Sequence, residues 1–160
     1  MDSVLRQQLV TALTTAQAHM TFDDAVKDFP MEKINKFPPQ VEYSPWMLLA
    51  HIRRTQKDIL NFMTEKTYKE GKWPDDYWPK KSVRADAKMW KETIEGYGHD
   101  LEKLVALVKD PKLDLSAKVE NGDGQVMLRE ILLVIDHTSY HIGEFGILRQ
   151  IMGTWPKGHE

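Results

Sequence analysis

The apolar residues of this chain recur at three- and four-residue steps over four long stretches, and breaks rich in proline or glycine separate them. That period is the signature of amphipathic helices. Leu5, Leu9, Ala12, Ala16, Met20 and then Asp23 mark one face of a first helix, with Asp2 or Ser3 as its N-cap. The segment FPMEKINKFPPQVEYSP carries Pro30, Pro38, Pro39 and Pro45, four of the eight prolines, so it reads as a connector. Its end is a helix start, with Ser44 as N-cap and Pro45 at the first helical position. Leu48, His51, Thr55, Asp58 and Phe62 then share a face of a second helix.

A second connector, GKWPDDYWPK, follows, and Ser82 is the expected cap of a third helix. Trp90, Ile94, Tyr97, Leu101, Leu104 and Val108 stripe that helix, which Asp110-Pro111 ends. Gly96 and Gly98 weaken it, by about 1 kcal/mol each relative to alanine. Segment 112–120 alternates weakly and reads as loop. The last helix is expected from Gln125 to Met152, stopped by Gly153 and Pro156. Strand signals are poor, and neither a repeat nor an interdomain linker stands out. The expectation is an all-α single domain over residues 1–160, a four-helix bundle with helices of about 20 to 28 residues and long connectors.

Composition narrows the function. With 22 Lys plus Arg against 24 Asp plus Glu, the net charge of −2 offers no footprint for nucleic acid or an anionic membrane. The absence of cysteine excludes disulfides, cysteine-ligated metals and a cysteine nucleophile. The longest apolar run, Ile131 to Ile135, is far short of a membrane span. The N-terminus lacks the apolar stretch of a signal peptide, so a cytoplasmic protein is expected.

Six histidines are present, and the pair His137-Thr-Ser-Tyr-His141 carries the most information. A spacing of four puts both imidazoles on one helix face, close enough to share a metal ion or to sit in the core with separate partners. The flanks ILLVID and FGILRQIM are apolar, so this helix is largely buried, and adjacent buried imidazoles need partners. His51, amid Trp46, Leu48, Leu49 and Ile52, is an available third ligand or a hydrogen-bonded core histidine. Imidazoles suit zinc, nickel, copper and iron alike.

Ser44-Pro45-Trp46-x-Leu48-Leu49-x-His51-Ile52, followed by Asp136-His137-Thr138-x-Tyr140-His141-Ile142-Gly143, resembles the DinB/YfiT-like superfamily. So do Leu148-Arg149-x-x-x-Gly153-x-Trp155-Pro156 and the opening Ala18-His19-x-Thr21-Phe22-x-x-Ala25-Val26. The resemblance covers essentially the whole chain. It implies an up-down-down-up four-helix bundle holding one divalent metal, zinc or nickel foremost, through His51, His137 and His141. It also implies a homodimer and a small-molecule substrate. Relatives include transferases and isomerases that use low-molecular-weight thiols, and metal-dependent hydrolases; a non-catalytic metal or ligand-binding dimer is the other reading.

The chain departs from many relatives at Glu144, where they carry glutamine. Glu144 lies about 20° from His137 around the helix and beside His141. It is the candidate catalytic residue as a general base, and otherwise a fourth ligand or a hydrogen-bond acceptor behind an imidazole. His19 either packs on the core or touches substrate, while His99 and His159 read as solvated. Asp58 and Glu130, one heptad from a proposed ligand, could orient an imidazole. Trp73, Tyr77 and Trp78 either line a ligand cleft or cover the core. Arg149 either binds an anion or pairs with an acid. Histidine ligands must be deprotonated, so metal affinity is expected to fall as pH drops through about 6.5.

Overall fold

The computed structural model describes residues 2–156 and is all-helical over them. Its helices are α1 (Asp2–Thr14), α2 (Phe22–Val26), α3 (Pro45–Thr64), α4 (Ala87–Lys109) and α5 (Met127–Met152), with a 3-10 turn at Met31–Lys33. The one β feature among the described residues is an isolated bridge between Lys118 and Val126.

The start of α3 follows from two residues. Ser44 is extended and its hydroxyl accepts the Met47 N–H, while Pro45 occupies the first turn, where no N–H is needed. Its N-terminal half, Pro45 to Ile52, is buried throughout. The expected stripe of the third helix also holds: Trp90, Tyr97, Leu104 and Val108 of α4 are buried. So does the stop of α5, where Gly153 takes the left-handed conformation at φ 58°.

Three boundaries differ from the sequence reading, each for a local reason. The first helix was expected to continue toward Asp23 but ends at Thr14. Thr11, Thr14 and Thr15 each turn a hydroxyl back onto the carbonyl four residues earlier, a habit that weakens helices. Thr21 and Asp24 then form a capping box that starts α2 afresh. Of the expected first stripe, only Leu9 is buried within α1. Ser82 does not cap α4; Asp86 does, accepting the Met89 N–H at 2.8 Å. Aspartate caps as well as serine, and Asp86 lies closer to the stripe that begins at Trp90. The last helix starts at Met127 rather than Gln125, because the carbonyl of Gln125 accepts the N–H of Val119 at 2.8 Å.

Two apolar clusters fill the interior. One joins Phe22, Phe29, Trp46, Leu49, Tyr97 and Phe145; the other joins Leu9, Ile59, Leu60, Leu104, Val108 and Ile131. α3 packs on both α4 and α5, and α1 lies against α4 and α5. Arg53 of α3 pairs with the buried Asp100 of α4 at 3.1 Å. Gly96, a weak point when α4 is considered alone, makes room for that pair: a Cβ there would lie 2.5 Å from Arg53 Nε. Arg6 of α1 donates to the carbonyls of Val108 and Asp110 at the end of α4, at 2.8 and 2.9 Å.

Arg149 is fully buried, and its hydrogen bonds go to main-chain carbonyls rather than to an acid or a bound anion. It donates to Ala25, Lys27 and Thr154 at 2.9, 2.7 and 2.8 Å and stacks on Trp155. It ties the end of α2 and the segment after α5 to the core. Replacing Arg149 by Met removes the donors for three carbonyls, and the expected loss is about 3 kcal/mol or more. Ser44→Ala removes one cap, and the expected loss is about 1 kcal/mol. Denaturant unfolding of the two variants measures both; equal losses would overturn the role given to Arg149.

Candidate metal centre

His137 and His141 stand one turn apart on α5, and His51 faces them from α3. His137 Nε2 lies 3.1 Å from His51 Nε2 and 3.1 Å from His141 Nε2. His51 and His141 are buried and His137 is half-buried. Three nitrogens around one ion at a zinc–nitrogen bond length of about 2.0–2.1 Å are separated by about 2.9 to 3.4 Å, depending on the angle. Both of these spacings lie in that range, and one ring nitrogen from each histidine lies within 4.8 Å of the others, so the three could hold a divalent metal.

The outward nitrogens favour this chemistry. His141 Nδ1 is 2.6 Å from Glu144 Oε2, and His51 Nδ1 is 3.3 Å from the carbonyl oxygen of Tyr77. A carbonyl or carboxylate oxygen only accepts, so both rings carry their proton on Nδ1 and turn an Nε2 lone pair inward. His137 Nε2 can donate to only one of them. The other ring's inward lone pair is then left without a donor, an arrangement that a shared cation relieves.

Burial keeps His51 and His137 uncharged. It lowers His51 to about 4, with neighbouring His141 adding to the effect and the Tyr77 carbonyl opposing it. It lowers His137 to about 3, again helped by the other two imidazoles. Protons therefore bind these two imidazoles well below the pH of 6.5 expected from the residue type alone.

The second connector forms one wall. Trp78 stacks on His51 at 3.9 Å with ring planes 9° apart, and Trp73 stands edge-on at 6.2 Å. Together with Tyr77 and Tyr140 these rings border a cleft of about 600 Å³ whose floor holds the three histidines. The connector aromatics, for which the sequence left two readings, thus line the cleft. Asp58 pins this wall: its carboxylate accepts the Tyr77 hydroxyl at 2.8 Å and the Tyr68 hydroxyl at 3.0 Å. Burial and then hydrogen bonding to Asp58 push the Tyr77 phenol up to about 12. Asp58 thus reaches His51 only through Tyr77, and Glu130 accepts instead from Arg129 at 2.8 Å.

On the other side, Glu144 is shared. Burial followed by the Glu144 carboxylate pushes Tyr43 up to about 12, and a hydrogen bond to Glu144 raises Tyr140. Glu144 therefore sits on the nitrogen of His141 that points away from the other imidazoles. His19 does not join the cluster. It lies beyond α1, exposed, with Nδ1 on the Met20 carbonyl at 2.7 Å and Nε2 on Ser139 Oγ at 3.0 Å. His99 is exposed, and His159 lies outside the described residues. The sequence missed the Tyr77 carbonyl, because every residue has one and only the folded connector brings this one to His51. It also missed Tyr43, whose place just before the Ser44 cap was the available signal.

An all-helical protein with three facing imidazoles at the base of an aromatic cleft belongs to the class of bundles that could carry a divalent metal in their core. The family model described as Mycothiol-S-transferase matches residues 8–153, and the chain belongs to that family, within the DinB/YfiT-like superfamily. No curated protein and no solved structure matches the chain significantly.

The low values for His51 and His137 set a pH dependence for the metal-free protein. Unfolded histidines titrate near 6.5, so between there and about 4 the unfolded chain binds more protons than the folded one. Stability is expected to fall as pH drops through this window, with His137 extending the loss toward 3. Thermal melts of metal-free protein from pH 7 to 4 check this against a His51→Phe, His137→Phe variant, whose dependence should be flatter.

Proposed function

We propose that this protein is a metal-dependent transferase that joins a low-molecular-weight thiol to an electrophilic small molecule. His51, His137 and His141 hold its divalent ion, with zinc or nickel the best matches for a three-imidazole site. The observation that carries the reading is the convergence of three Nε2 atoms at the floor of an open cleft. Family membership supplies the thiol, since the matched family is described by transfer from mycothiol. The chain has no cysteine, so the reacting sulfur belongs to the cosubstrate. When bound, a divalent ion lowers the pKa of a thiol or water that reaches it and polarises an electrophile.

The chain's own residues supply geometry. The Tyr77 carbonyl and Glu144 hold the His51 and His141 rings by their Nδ1 protons, so that both present Nε2 to the cleft. Trp73 and Trp78 give the cleft an apolar side that excludes water from the sulfur. We assign Glu144 first to positioning His141, since its carboxylate already accepts that ring's proton at 2.6 Å; action as a general base is the alternative the Glu144 variant tests.

The scaffold we read as a single four-helix domain, α1, α3, α4 and α5 running up, down, down and up. Arg6 beside Val108 supports opposite directions for α1 and α4, and Asn121, before α5, donates to Phe62 and Glu65 at the end of α3. Low-molecular-weight thiols are kept reduced in the cytoplasm, where we place the protein. No helix among the described residues is long and apolar enough to cross a membrane. We also propose a homodimer through α5. Leu132, Tyr140, Ile147 and Ile151 are 48%, 64%, 57% and 51% exposed along one side of that helix.

Metal loading under identical conditions tests the ligand set. Wild type is expected to bind about one equivalent, while His51→Ala and His141→Ala bind at least tenfold more weakly. Full stoichiometry and unchanged affinity in both variants would overturn the assignment. Glu144→Gln should keep the metal with reduced affinity if the carboxylate only positions His141. Unchanged affinity with a lost rate would make it the base instead.

Sedimentation tests the assembly. A mass near twice 18.6 kDa is expected, falling to the monomer in an Ile147→Glu, Ile151→Glu variant. Monomeric wild type at high concentration would reject the dimer.

A further inference from the structure

The side of α5 turned away from the histidine cleft carries a second pair of reactive groups. Ser139 lies about 200° around the helix from His137, so it faces away from the imidazole cluster. Its neighbour there is His19, in the segment between α1 and α2. The early end of α1 at Thr14 frees that segment to reach α5.

The surroundings of His19 set its tautomer. Nδ1 lies 2.7 Å from the Met20 carbonyl oxygen, which only accepts, so this nitrogen carries the ring proton. Nε2 therefore offers a lone pair, and the Ser139 hydroxyl donates to it at 3.0 Å. Other helical hydroxyls of this chain behave differently. Those of Thr11, Thr14, Thr64 and Thr93 each donate to the carbonyl four residues earlier. A hydroxyl bonded to an imidazole whose other nitrogen is held by an acceptor has the parts of an activated nucleophile: an oxygen, a base and a group that orients the base.

A cavity of about 70 Å³ opens beside this pair, between α1, α4 and α5. Leu13, Phe22, Leu101 and Ile142 give it apolar walls, and Tyr97 and Thr138 bring two hydroxyls. These hydroxyls are hydrogen-bonded to each other. That bond uses one of their two protons and leaves the other as a donor. A water takes about 30 Å³ of the liquid, so the space accepts about two or three heavy atoms, the size of an acetyl group. His19 is exposed, so the other side of the pair is open to solvent.

We propose that Ser139 and His19 form an esterase site, separate from the histidine cleft, that hydrolyses esters of short acyl groups. The Ser139 oxygen attacks the ester carbonyl carbon while its proton passes to His19 Nε2. The bond to the alcohol oxygen breaks, and the leaving alcohol takes that proton. Water then gives a proton to the same nitrogen and attacks the acyl carbon, releasing the acid as Ser139 recovers its hydrogen. Negative charge on the carbonyl oxygen meets the spare hydroxyl proton of the Tyr97–Thr138 pair. The acyl group sits in the cavity and the alcohol stays in solvent, so selection falls on acyl length. The reaction needs no metal, since nucleophile and base are both side chains.

Two measurements on the full-length, metal-stripped protein test this. In the first, p-nitrophenyl acetate is expected to turn over at least about tenfold faster than p-nitrophenyl octanoate. Acid-quenched protein should carry acetyl on Ser139 in peptide mass spectra. Ser139→Ala and His19→Gln should each lower the acetate rate at least about tenfold, with unchanged far-ultraviolet dichroism. A rate unmoved in Ser139→Ala, acetyl on an imidazole in place of Ser139, or equal turnover of the two esters overturns the proposal.

The second reads the base by itself. Ser139→Cys gives this cysteine-free chain a thiol beside His19. Iodoacetamide should alkylate it at neutral pH at least about tenfold faster than in the same variant carrying His19→Gln, because a neighbouring imidazole draws off the thiol proton. Equal rates overturn the role of His19. Thiol transfer at the metal centre uses other residues, so failure of either activity leaves the other standing.

Discussion

Three imidazoles turned toward one another in a half-covered space impose a condition on everything around them. Rings that carry their proton on Nδ1 need an acceptor outside the cluster. For His141 the acceptor is one turn away on the same helix, at Glu144. For His51 it is the Tyr77 carbonyl, which comes from a connector with no regular secondary structure. That connector has to be held, and Asp58 holds it by accepting the hydroxyls of Tyr68 and Tyr77 from about two turns beyond His51. The proline-rich break between α3 and α4 is thereby part of the centre, supplying an acceptor, a stacking ring at Trp78 and one wall of the cleft.

Local weakness and tertiary gain trade against each other in the helices. Gly96 costs α4 about 1 kcal/mol relative to alanine, yet any side chain there would meet Arg53. The space lets Arg53 reach Asp100, whose burial would otherwise be costly, and joins α3 to α4 beside the histidine on α3. Arg149, near the end of α5, follows the same logic. A guanidinium with no exposure is sustained by three carbonyls, at a helix end and a chain turn that regular hydrogen bonding leaves unsatisfied.

The cleft extends the reasoning to ligands. Above the histidines its walls are tryptophan and tyrosine, so a small molecule there would meet apolar surface beside three imidazoles. Asp58, already accepting from two phenols, fixes the shape of that wall.

The sequence alone determined the elements whose signals are local. The Ser44-Pro45 start of α3, the α4 stripe from Trp90 to Val108 and the Gly153 stop of α5 depend on capping, period and backbone freedom within a few residues. The i, i+4 pair His137 and His141 belongs to the same class, since helical geometry fixes their shared face before any packing occurs. Only tertiary structure decided the rest. That His51 meets this pair depends on how α3 and α5 pack. That Glu144 faces away from the cluster depends on a side-chain rotamer, and that Tyr77 serves His51 depends on the path of a loop. The early end of α1 came from threonine hydroxyls and the Thr21–Asp24 box overriding a continuous apolar period, a competition between near-equal local terms. Period and caps are summed over neighbours in sequence, whereas a metal centre is built from groups brought together across the chain.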